Sequence, residues 1–215
     1  GEFGVGFKSV FGICETVRLY SSPRNKELAE NCHPFAVEIQ DFTKPVDIPS
    51  VDVPAGYTTL FVFPYSVGFQ FSGFKNLAAL NEAITKRLKN LGVTTLLFMR
   101  HLELIEYEIK IPGKEASGEY LLDAEPVNDH CTRVSAIESE DDKTDESLSF
   151  IKFSMPIDSR VSTRTIDVAF TVATDKEGKT TFQKAKNPYI SVYFPTETES
   201  KLDFIVQGPF RTTPN

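Results

Sequence analysis

Three glycines spaced G-x-x-G-x-G, at Gly1, Gly4 and Gly6, run without a break into Phe7, Lys8 and an amphipathic stretch from Ser9. Glycine lets the backbone take a positive φ and come close to another group. A helix that starts here offers unpaired N–H groups and roughly half a positive charge at its first turn. Lys8 adds a whole charge. The chemistry of such a corner is anion binding, and its natural ligand is a phosphate chain. The bland alternative is a glycine-rich turn that opens a helix and binds nothing. Two familiar phosphate loops do not fit. A P-loop has its lysine directly after the last glycine, followed by Ser or Thr; Phe7 separates Gly6 from Lys8. A dinucleotide fingerprint follows a strand and has a further glycine where this chain has Ser9.

The pattern Gly1, Phe3, Gly4, Val5, Gly6, Phe7, Ser9 closely resembles the lid-side glycine box of the Bergerat-fold (GHKL, histidine kinase-like) ATPases. These include the ninety-kilodalton heat-shock chaperones, the MutL proteins, type II topoisomerases and sacsin; Lys8 is in the manner of the sacsin-like members. The resemblance implies ATP as ligand, with Gly4, Gly6, Phe7 and Lys8 at its phosphates and Gly1, Phe3 and Val5 shaping the box. It places the alternating strand Glu15–Ser21 after the box. It also likens Gly56–Pro64 to the strand that closes one wall of the nucleotide pocket, with Thr58, or second Thr59, beneath the adenine. On the residues alone, both threonines are equally well explained by strand propensity.

The same resemblance implies parts that this sequence does not contain. Relatives hold Mg²⁺ and activate water through a Glu and an Asn on an upstream helix, and they read adenine through an upstream Asp-x-Gly-x-Gly turn. No Asp-x-Gly-x-Gly occurs in the chain. The expectation is an internal fragment with ATP and Mg²⁺ as cofactors, the Mg²⁺ ligands lying upstream. Hydrolysis would belong to the longer protein and not to this piece. Tyr193–Thr196 and Phe204–Phe210 resemble the strand ends of the domain that follows the nucleotide module in sacsin-like proteins. In relatives that domain turns nucleotide state into a change of shape, which implies a protein partner or client and allows a homodimer.

Composition sets broader bounds. The chain has 215 residues, 40% of them hydrophobic, enough for one large domain or two small ones with a proper core. A net charge of −7 argues against a general nucleic-acid surface. No apolar run approaches a membrane span and Gly1-Glu2-Phe3 is no signal peptide, so the setting expected is cytoplasmic. Cys14, Cys32 and Cys131 are far apart and form no C-x-x-C pair, which predicts free thiols and no metal site. The adjacent pairs Cys32-His33 and His130-Cys131 do not alter this, because neighbours on a strand point to opposite faces.

The elements that must position the box divide near residue 110. In 1–110 the clearest helix is carried by Leu77, Leu80, Ile84, Leu88 and Leu91, an apolar stripe read as core, with Lys86, Arg87 and Lys89 at its end and Gly92 as its stop. Leu102–Ile109 alternates like a strand leaving the ATPase module. Residues 111–215 read as strand-rich, with runs at 120–122, 131–137, 148–153, 165–172, 189–194 and 202–206. The segment Glu138–Glu146 holds six acids and one base in nine residues and reads as a solvated hairpin loop; Asp175–Lys179 reads as a second turn. The fold expected is α+β: the C-terminal part of a Bergerat-type α/β sandwich over 1–110, then a mostly antiparallel, transducer-like domain over 111–215.

Overall fold

In the computed structural model the described residues are 5–21, 34–40, 44–65, 68, 70–141, 143–158, 161–186, 188–192 and 194–210. One helix exceeds a single turn among them: α2, Leu77–Lys89. The Asn76 side chain caps its start, its Oδ1 accepting from the Ala79 N–H at 2.9 Å. Gly92, at φ +86°, turns the chain away from its end, a conformation that only glycine takes without strain. The apolar stripe is core only in its middle. Leu80 is buried, Ile84 and Leu88 are half-buried, and Leu77 and Leu91 are exposed.

The chain forms two compact units, which divide within α2 between Ile84 and Thr85. In the first, Val5–Lys8 forms a single helical turn, α1, that runs into a 3₁₀ turn at Ser9–Gly12. Four strands follow: β1 (Thr16–Ser21), β2 (Phe35–Gln40), β3 (Lys44–Asp47) and β4 (Thr59–Val62), in the spatial order β3-β2-β1-β4 with every pair antiparallel. Cys14, Val17, Tyr20, Val53 and Leu80 are its buried apolar residues.

The second unit is built on a nine-stranded sheet of β5 (Leu104–Ile109), β6 (Ala116–Asn128), β7 (Cys131–Glu140), β8 (Lys143–Asp158), β9 (Val161–Thr174), β10 (Thr180–Phe182), β11 (Tyr189–Val192), β12 (Phe194–Glu199) and β13 (Ile205–Gln207). The order is β12-β11-β13-β9-β8-β7-β6-β5, with β10 beside β9; only β11–β13 is parallel. Val134, Phe150, Ala169 and Ile205 lie on one face of neighbouring strands by register and are buried together. Against them packs the Val93–Phe98 segment, a run of turns whose Leu96, Leu97 and Phe98 are buried.

This architecture corrects the expected fold class. A Bergerat-type α/β sandwich needs a helical layer over its sheet, and the described residues supply one helix to a strand-dominated molecule. The physical reason lies in the periodicity. Outside 77–91, residues 1–110 carry no extended 3–4 apolar spacing, and Pro and Gly interrupt 45–73 repeatedly. Residue 110, where the domain division is expected, falls just after β5, in the connection to β6 within the second unit.

The acidic stretch also differs from its expectation. It is no loop: β7 and β8 run through it and close at Glu140↔Lys143, with Asp141 at φ +48° in the turn. Cross-strand hydrogen bonding continues through the charged run, and two of its carboxylates have partners. Glu140 pairs with Lys89, and Asp141 accepts from the Ser117 N–H through Oδ1 at 3.2 Å. The 175–179 turn is as expected. Asp175 Oδ1 accepts from the N–H groups of Glu177 and Lys179 at 3.0 and 2.9 Å, and Gly178 takes φ +82°.

Candidate functional site

The first unit carries the glycine box. Gly1, Phe3 and Gly4 lie outside the described residues. Val5 and Gly6 supply the first half of α1, and Lys8, exposed, ends it and caps the 3₁₀ turn. The turn closes tightly, with the N–H groups of Ile13 and Cys14 both donating to the Val10 carbonyl. Ser72 N–H then donates to the Gly12 carbonyl at 2.7 Å, and a Cβ at Gly12 would stand 3.2 Å from that of Ser72. The box's downstream end is therefore pinned where a small residue fits best.

Aromatic contacts fix the rest. The Phe7 ring meets Phe11 edge-on at 6.0 Å and Phe61 at 6.4 Å, and Phe61 stacks on Phe63 at 6.3 Å. The structure thus joins the box to β4 through side chains. Thr58, three residues before Phe61, is exposed in the bend that leads into the strand, and Thr59 is exposed opposite Ser21. Burial raises the Cys14 thiol and the Tyr65 phenol above their ordinary ranges, so both are neutral at physiological pH.

The second unit holds a cavity of mixed polar and apolar lining that no sequence motif marks. Its volume is about 350 Å³, and its walls include Phe98, Arg100, Glu103, Leu122, Lys152 and Asp167. The strand register brings the polar groups together: Thr132↔Lys152, Ser154↔Asp167 and Asp167↔Gln207 are direct cross-strand pairs, so these side chains share one face. Lys152 Nζ donates to the Leu97 carbonyl at 3.3 Å. The Thr165 hydroxyl accepts from Arg100 at 3.2 Å and donates to Asp167 Oδ2 at 3.0 Å. Burial pushes the Lys152 ammonium below the ordinary lysine range, and the Asp167 charge opposes that fall. Asp167 and Gln207 are 8% and 3% exposed, and Gln207 Oε1 has no hydrogen-bond partner among the described residues. The only sequence signal for this site was a lysine and an aspartate on facing sides of two alternating strands.

Among the described residues no group of three or more His, Cys, Asp or Glu is placed to hold a metal ion. Cys14 and Cys131 are free and buried, His130 is exposed in a turn, and Cys32-His33 lies outside the described residues. Nor is any helix among them long and apolar enough to cross a membrane. Comparison with protein-family models, with curated proteins and with solved structures finds no match to this chain.

Proposed function

We propose that this chain is the nucleotide-responsive part of an ATP-dependent conformational switch of the chaperone- or sacsin-like kind. The observation that carries the reading is the dense glycine box, whose Phe7 packs on Phe61 of β4. The reading rests on the box and not on the sheet architecture, which differs from that of the ATPases the box resembles. In it the backbone N–H groups around Gly4, Gly6 and Phe7 and the Lys8 ammonium meet the phosphates of Mg·ATP, with Thr58 toward the base. The box supplies binding and charge neutralisation; no residue of the chain is assigned as general base. A cytoplasmic setting and a protein client belong to the same reading.

Calorimetric titration of Mg·ATP into the protein and into Lys8→Ala tests it. Saturable binding that weakens about tenfold in the variant, the worth of one charge-assisted contact, supports the phosphate cradle. Absence of binding by the folded protein with the expected upstream helix and Asp turn included, or binding indifferent to Lys8, sinks it.

A second reading, a non-hydrolysing protein-interaction module, is favoured by a separate observation. Phe153, Met155 and Ile157 on β8 and Ile166 on β9 form an exposed apolar patch on the sheet face opposite the core. That reading predicts partner binding that is independent of nucleotide.

A further inference from the structure

The cavity beside Lys152 presents an accounting problem in buried polar groups. On the sheet face that holds Phe150 and Ala169 in the core, the next positions along the strands turn polar: Lys152 and Ser154 on β8, Thr165 and Asp167 on β9, Gln207 on β13. A buried donor or acceptor left without a partner costs about 1–3 kcal/mol, and a charge costs more. Among the described residues Lys152, itself half-buried, donates through Nζ only to the Leu97 carbonyl, at a long 3.3 Å. Behind the cavity lining, the Gln207 amide, directly across from Asp167, has an oxygen without a hydrogen-bond partner among the described residues. With the amide turned the other way, its nitrogen would be unmatched instead.

The charges around the cavity balance. Lys152 and Arg100 are cationic; Asp167 and Glu103 are anionic; all four line the same space. A simple anion would meet Asp167, and a simple cation would meet Lys152. The ligand that satisfies both carries an acceptor at one end and a donor at the other. Phe98, Met99 and Leu122 add an apolar wall that suits a short hydrocarbon chain. A volume of about 350 Å³ lies at the small end of ligand sites.

We propose that this cavity binds a small zwitterion of the α-amino-acid class. Its carboxylate accepts from Lys152, its ammonium donates to Asp167, and its apolar side chain lies against Phe98 and Leu122. The site is in the second unit and is independent of the nucleotide reading above.

The test is calorimetric titration of the whole chain with L-leucine, L-valine and L-methionine, beside N-acetyl-leucine and leucine methyl ester. The expected result is saturable binding of at least one free amino acid. Blocking its ammonium or its carboxylate weakens binding about tenfold or more, one charge-assisted contact in each case. Lys152→Met keeps the volume of the side chain and removes its charge, and it weakens binding by a similar factor. If Lys152→Met does not fold, the blocked ligands alone decide. No saturation by the folded protein up to about 10 mM, far weaker than a useful site, overturns the proposal. So does equal binding of the free and blocked forms.

Discussion

The two units solve the same problem, what to do with apolar side chains on a sheet, in different ways. In the second unit, one face of the long strands is closed by the Val93–Phe98 segment, and Tyr120, Val134, Phe150 and Ala169 are at most 1% exposed. In the first unit, the aromatic rings around the glycine box stay at the surface, with Phe7 at 40% and Phe61 at 47% exposure. A closed face derives its stability from packing density. An open aromatic layer contributes less to stability, because about half of the Phe7 and Phe61 surface stays in water. The lesson is that burial, and the stability it brings, is concentrated on the closed face and not around the glycine box.

The comparison is broken most directly at Phe150, which is 0% exposed among Val134, Ala169 and Ile205. Phe150→Ala removes its transfer energy and leaves a cavity, an expected loss of about 3–5 kcal/mol. Chemical denaturation reads it. A loss below about 1 kcal/mol would mean that the face is not closed, since surface changes fall in that range.

Tyr120 sharpens the picture with a smaller effect. Its hydroxyl donates to the Leu88 carbonyl at 2.7 Å, and the phenol is pushed up to about 12, first by burial and then by the nearby Glu138 charge. Tyr120→Phe removes one buried hydrogen bond, about 1 kcal/mol. The pH dependence has a definite sign. Below an ordinary phenol's 10.0 the ring is neutral in both folded and unfolded chains, so the contribution is fully present. Between there and about 12 the unfolded phenol ionises first and stability falls. Tyr120→Phe loses part of that decline. A variant with the same alkaline slope as the parent would show that Tyr120 is not buried as described. Tyr107 is also raised, chiefly by burial, so some slope remains.

How much of this was legible in the sequence follows from the range of each interaction. The body of α2 was readable because its signals are local: apolar residues three and four apart, three basic residues at the end, and Gly92 beyond. The 175–179 turn was readable because Asp175 caps its own neighbours. The extension of β7 and β8 through the acids at 138–146 was not, because it depends on partners far along the chain, such as Lys89 for Glu140. The α/β sandwich is the expectation of a resemblance carried chiefly by residues 1–11, with 15–21 and 56–64 beside them, and a short motif does not dictate the layers that surround it. Lys152, Asp167 and Gln207 form a cluster only through strand register, which leaves no spacing motif to find.

The smallest expected effect lies at the open layer, and it tests what that layer does. Phe7 and Phe61 meet at 6.4 Å with their rings tilted by 60°, so the contact is worth about 0.5 kcal/mol beyond area burial. Phe7→Ala, Phe61→Ala and the double variant form a cycle whose coupling isolates that contact from each ring's other neighbours. Each single variant should cost far less than Phe150→Ala, because each ring is already about half in solvent. A coupling indistinguishable from zero would remove the structural link between the glycine box and β4. If the coupling instead grows when Mg·ATP is present, the ring contact tightens as the ligand binds. That is the property expected of a switch element and of no ordinary surface pair, because a ligand shifts an equilibrium only by as much as it prefers one state.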